Sequence, residues 1–111
     1  MSELRDQIRR AREAWHEVGR FGFLVRRPTL EQLRLWGDLP WSETLARCVI
    51  DWRGVKVSDL VEGGDDKPAK FDAEDFAEWV SDDAALFSAL RQYVLDRVAE
   101  RARLVEATEK N

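Results

Sequence analysis

The sequence predicts a mainly α protein with a small β-hairpin, an α+β fold of about four to five short helices of which the last is long. Three features point there. Apolar residues recur three and four apart over much of the chain, as in Trp41, Leu45, Cys48, Val49 and Trp52. Capping residues stand just before several of these runs. One stretch, WHEVGRFGFLV, instead sets two aromatic and β-branched runs around a two-residue turn containing glycine.

Taken in chain order, Leu4, Ile8, Ala11 and Trp15 lie at helical spacing, so residues 3–13 read as an amphipathic helix that frays if nothing packs on it. WHEV and FGFLV then form the hairpin around Gly19-Arg20. The competing reading runs the helix on to Val18 and leaves only FGFLV extended. Thr29-Leu30-Glu31-Gln32 has the spacing of a capping box and opens a helix over residues 30–36, with Leu30, Leu33 and Trp36 inward and Gly37 at its end. Pro40-Trp41-Ser42 restarts the pattern. Ser42 is the expected cap, Glu43 sits near the positive end of the helix dipole, and the stripe runs from Trp41 to Trp52. That helix is expected to form the core with Trp79 and Phe87.

Gly54 is expected to close this helix in the left-handed conformation. Val55 and Val57 alternate with Lys56 and Ser58 as a short extended stretch, and GGDDKPAK buries too little to offset its ordering, which makes residues 62–70 a mobile surface loop. For the whole segment from Gly54 to Lys70 the favoured reading is a packed connection, in which Val55, Val57 and Leu60 tie Trp52 to Phe71 and Trp79. A partner-contacting loop is the other. Asp72 caps a helix with Phe76, Trp79 and Val80 inward, Phe71 folding back as a hydrophobic staple. Ser81-Asp82-Asp83 ends it and caps the last helix, residues 83–107, whose stripe is Phe87, Leu90, Val94 and Val98 and thins to Ala102 and Val105. The chain thus divides into an N-terminal helix, residues 1–12, a single globular domain, residues 13–98, and a projecting helix end and tail, residues 99–111.

With 111 residues the chain has the length of one domain, and 44% apolar with 36% charged residues is the composition of a folded protein. No run approaches the ~20 apolar residues of a membrane span, and MSELRDQIRRAREAW lacks a signal-peptide core, so a cytoplasmic location is expected. Net charge is -4 but uneven: residues 1–56 carry 11 Lys/Arg against 8 Asp/Glu, and residues 57–111 carry 7 against 14. Arg5, Arg9, Arg10 and Arg12, with Arg26 and Arg27, are the basic spots. Glu3, Asp6, Glu13 and Glu17 interrupt the continuous footprint that nucleic acid requires, so a solvated helix face is the favoured reading and a small regulatory or nucleic-acid-binding protein, resting on the Arg-rich N-terminus alone, is the alternative.

Catalytic and cofactor chemistry finds no support in the residues. Cys48 is the single cysteine and His16 the single histidine. A thiol at helical spacing with Leu45, Val49 and Trp52 reads as a small buried hydrophobe, and His16 as a surface or half-buried ring. Asp65, Asp66 and Asp72 miss the alternating ligands and terminal glutamate of a calcium loop.

The ordered set FGFLVRRPTLEQ, LARCVIDWRGVKVSDLVEGGDD and FDAEDFAEWV resembles the small tail assembly chaperones of long-tailed phages and prophages. In that family an RRPT-type start, a W-x-G-V-x-x-S-D-L loop and an F-D-x-x-x-F-x-x-W helix recur in this order. The resemblance covers roughly residues 13–98. It implies a protein without catalysis that holds the long, largely helical tape-measure protein of the same phage until tail-tube subunits polymerise around it. A holding protein needs exposed apolar anchors and a soluble body. Leu104 and Val105, exposed among charges on the thinning helix, are the expected place for that contact or for self-association. The resemblance also implies a longer form made by ribosomal frameshifting, for which an A-rich run encoding Lys110-Asn111 would serve.

Overall fold

The computed structural model describes residues 2–109. These form an α+β fold, mainly α, with six helices and one three-stranded antiparallel sheet. The helices are α1 (Glu3–Ala11), α2 (Leu30–Leu35), α3 (Trp41–Cys48), α4 (Val57–Leu60), α5 (Ala73–Asp82) and α6 (Ala84–Glu109). The strands are β1 (Glu13–Val18), β2 (Phe21–Arg26) and β3 (Val49–Arg53), in that order across the sheet. Lys110 and Asn111, where the frameshift expectation falls, lie outside the described residues.

The hairpin forms as its pattern predicts: Val18 pairs with Phe21 around Gly19, whose φ of 60° a residue with a side chain rarely adopts. The chain leaves the helical path at Arg12, so the reading that continued α1 to Val18 is excluded. Alternation then sorts the sheet. Phe23 and Val25 face the helices, while Trp15, Leu24 and Asp51 lie on the opposite face.

The expected long helix ends at Cys48, and Trp52 belongs to a strand. Val49 and Trp52 are three apart, a spacing that suits one helical face but should place them on opposite faces of a regular strand. A bulge resolves this. Val25 pairs with Val49 and Leu24 with Asp51, so Ile50 is the extra residue, and both Val49 and Trp52 reach the core. Gly54, correspondingly, closes a strand rather than a helix. Its φ is 75°, and a Cβ there would stand 2.9 Å from the Arg20 carbonyl oxygen in the hairpin turn.

Ser42 is not the cap of α3. Pro40 occupies that position, with its carbonyl accepting from the Glu43 and Thr44 amides, so the helix begins two residues earlier. At α2 the capping box does form: Thr29 Oγ1 accepts from the Gln32 amide at 3.1 Å, and Gln32 Oε1 from the Thr29 amide at 3.0 Å. Its inner face is narrower than expected. Trp36 packs on the core, whereas Leu30, on the first turn just after the cap, points to solvent.

The segment after Gly54 is tied down rather than free. Val55 is buried, Lys56 pairs with Pro68, and the Ala69 amide donates to the Val55 carbonyl at 2.8 Å. Instead of extending through Val57, the chain turns into α4, because the Asp59 carboxylate accepts from the Lys56 amide at 2.8 Å and holds the first turn closed. Trp52 meets the rings of Phe71 and Trp79 edge-on, at 5.1 and 5.9 Å between centroids.

Asp72 accepts from the Glu74 and Asp75 amides to start α5, and Asp83 from the Leu86 amide to start α6. On α6 the deeply buried residues are Leu86, Leu90 and Val94; Phe87 and Val98, expected in the stripe, are half-buried at its edge. The core joins these to Phe23, Val25, Leu45, Val49, Trp52, Phe76 and Val80 between the sheet and α3, α5 and α6. Trp41, Trp79 and Phe87 pack around it without being fully covered. Residues 99–109 are all exposed.

Candidate functional site

Where α6 passes beyond the core, it runs beside α1 and the head of α2 and leaves a groove of about 1000 Å³. The turn from β2 to α2 sets its position. The Arg27 amide donates to the Arg12 carbonyl at 2.8 Å, extending the hairpin ladder by one rung and bringing the end of α1 against the start of α2. Pro28 is buried beneath that turn, and Thr29 caps α2 so that Leu30 projects.

The groove is lined by apolar side chains open to solvent: Ile8 is 54% exposed, Leu30 73%, Leu104 56% and Val105 37%. Large apolar residues gathered in one cleft at such exposure differ from the scattered singles of an ordinary surface. Leu104 and Val105, which the sequence singles out, therefore lie in one groove with Ile8 and Leu30, for which the sequence predicts a fraying helix and an inner face.

Four arginines share that groove: Arg12, Arg27, Arg97 and Arg101. None of the ion pairs among the described residues involves any of them. Arg12 Nε donates to the Arg27 carbonyl and an Arg97 amino group to the Tyr93 hydroxyl, so their partners are neutral oxygens. Burial pushes the Arg27 pKa down, and the guanidiniums of Arg101, Arg12 and Arg97 push it further the same way. The cluster is thus a site of mutual repulsion whose charge an external anion would relieve. Sequence reasoning placed Arg12 and Arg27 in separate basic spots and did not weigh Arg97 and Arg101. The signal was present in the hairpin register, which sets residues 12 and 27 opposite one another, and in the one-turn spacing of 97 and 101.

The other chemically suggestive residues lie apart from the groove and are engaged within the fold. His16 faces inward and stacks on Tyr93 with ring centroids 3.9 Å apart; burial lowers its pKa, with Glu17 partly countering. Cys48 is buried, and its thiol is pushed up to about 12 by desolvation. Asp65, Asp66 and Asp72 do not converge: Asp65 accepts from the Lys67 amide, Asp66 from the Ser58 hydroxyl, and Asp72 caps α5. Among the described residues no group of three His, Cys, Asp or Glu is arranged to hold a metal, and no helix is long and apolar enough to cross a membrane.

The chain matches no family model, no curated protein and no solved structure.

Proposed function

We propose that this protein is a holding protein without catalysis, of the tail assembly chaperone type, that keeps the tape-measure protein of its phage soluble during tail assembly in the bacterial cytoplasm. The observation that carries this reading is the groove between α1, α2 and α6, where Ile8, Leu30, Leu104 and Val105 stay open to solvent on a body whose own core is complete without them. Such a surface suits capture of an apolar helix face, the mode in which an amphipathic segment presents residues at i, i+3, i+4 and i+7. The ordered motifs from Phe21 to Val80 add the family resemblance, and they serve the fold: Thr29 and Gln32 form the capping box, Trp52, Gly54 and Val55 close the sheet, and Phe76 and Trp79 pack on it.

The test is co-expression with the tape-measure protein of the same phage. The reading expects that partner to move from the insoluble to the soluble fraction and to co-purify with this chain. A tape-measure protein that stays insoluble beside abundant folded chain removes the holding role.

A further inference from the structure

We propose that the groove between α1, the head of α2 and the distal half of α6 is the docking site for an acidic amphipathic helix of another protein. For the identity of the natural partner this rests on the holding reading; the chemistry of the site stands on the groove itself. Two features in one cleft select the occupant. The apolar lining of Ile8, Leu30, Leu104 and Val105 asks for aliphatic side chains. Beside it Arg12, Arg27, Arg97 and Arg101 gather, and none of the ion pairs among the described residues involves them.

A guanidinium presents its donors as a planar fork that fits a carboxylate at two points, and several forks around one spot reward a run of carboxylates. The rim also carries Glu31, Glu100, Glu106 and Glu109; Glu31 is bonded to Arg34, and none of the ion pairs among the described residues joins any of the four to these arginines. A helix with a leucine-type stripe flanked by glutamates or aspartates meets both halves of the site. The end of α1 contributes Ile8 and Ala11, while α6 walls the groove from Arg97 to Glu109, roughly 18 Å along its axis and enough for about three turns of a guest helix.

The alternatives fit less well. Among the described residues a second copy fits less well: the acidic helix α5 already turns Phe76 and Val80 into its own core, α1 would bring Arg5, Arg9 and Arg10 against the arginines, and the exposed end of α6 would bring Arg101 and Arg103. A nucleic acid would leave the apolar lining of Ile8, Leu30, Leu104 and Val105 uncovered.

The experiment titrates the full chain with two fluorescent synthetic peptides of about five helical turns that share one leucine stripe, flanked by glutamates in one and by lysines in the other. Saturable binding of the glutamate peptide is expected, with the lysine peptide at least about tenfold weaker. Arg101→Glu and Leu104→Asp, both at exposed positions, should each weaken the glutamate peptide by about tenfold or more while leaving the thermal melt unchanged. Absence of binding, equal binding of the two peptides, or full affinity in both variants overturns the proposal. Displacement of the glutamate peptide by a DNA duplex at lower concentration reassigns the cluster to nucleic acid, and a dimer that Leu104→Asp dissolves reassigns the groove to a second copy. The two readings fail separately. Peptide binding without solubilisation of the tape-measure protein sinks the holding role alone, whereas solubilisation that survives Arg101→Glu and Leu104→Asp sinks the groove alone.

Discussion

The indole N–H of Trp52 donates to the carbonyl oxygen of Ala69 at 2.7 Å, a bond between the last strand and a loop seventeen residues further on. Around it the Ala69 amide reaches back to Val55 and the Val57 amide to Lys67, so one side chain anchors the acidic Gly/Pro segment to the sheet. The function of Trp52 is therefore divided between its ring, which packs against Phe71 and Trp79, and its single donor.

Substitution separates these parts. Trp52→Phe keeps most of the ring but leaves the Ala69 carbonyl without its donor, and should cost about 1–3 kcal/mol. Trp52→Ala empties the site and should cost about 3–5 kcal/mol. Urea midpoints measure both, and faster hydrogen exchange at Val57 and Ala69 should accompany the first. A Trp52→Phe protein as stable as the parent would mean the bond is dispensable.

Two glycines with positive φ offer a controlled comparison. Gly54→Ala must adopt the left-handed region and also push its Cβ against the Arg20 carbonyl at 2.9 Å, whereas a Cβ added at Gly63, whose φ is 79°, would meet nothing within 4 Å. The expected losses are roughly 2 kcal/mol or more for Gly54→Ala and about 1 kcal/mol for Gly63→Ala. Equal losses in thermal or urea unfolding would show that the close approach to the hairpin turn carries no weight.

His16 links stability to pH. Burial holds its pKa below the ordinary 6.5, so on acidification the unfolded chain takes up the proton before the folded one. The unfolding free energy is then full above pH 6.5, falls as pH drops below it, and levels off once the folded-state pKa is passed. Urea midpoints between about pH 7.5 and about pH 5.5 should decline in the parent and flatten in His16→Gln. An unchanged slope in the variant would place the titration elsewhere.

Cys48 should be inert in the folded protein. A buried thiol pushed up to about 12 offers almost no thiolate near neutrality. A disulfide-exchange reagent at mildly alkaline pH is expected to modify nothing in the native state and one thiol in guanidinium chloride. Prompt native-state labelling would show that α3 opens locally.

The parts of the fold that were legible in the sequence are those specified by local chemistry. Thr29 with Gln32, Asp72 and Asp83 each bond the amides that their spacing predicts, and WHEVGRFGFLV forms the hairpin. What escaped depended on contacts distant in sequence. Val49 and Trp52 look helical by spacing, and only the bulge against β2 makes them partners on a strand. Leu30 looks inward until the short α2 turns its first residue away from the core. Of the groove, Leu104 and Val105 could be picked out because their helix runs out of buried neighbours. Of the arginines, only the Arg12–Arg27 pairing is implicit in the hairpin register; Arg97 and Arg101 join it only when α6 runs beside α1 and the β2–α2 turn.

The exposure of residues 99–109 divides one continuous helix between two kinds of cooperativity. As far as Val98 its turns are locked to the sheet and must melt with the domain in a single sharp step. Beyond it, Ala99, Arg101, Ala102, Arg103, Leu104 and Glu106 hold the helical path mainly through intrinsic propensity, which fades gradually on warming. Helical ellipticity should therefore decline along a sloping line well before the tryptophan signal, all five of whose reporters lie in the first 79 residues, registers any change.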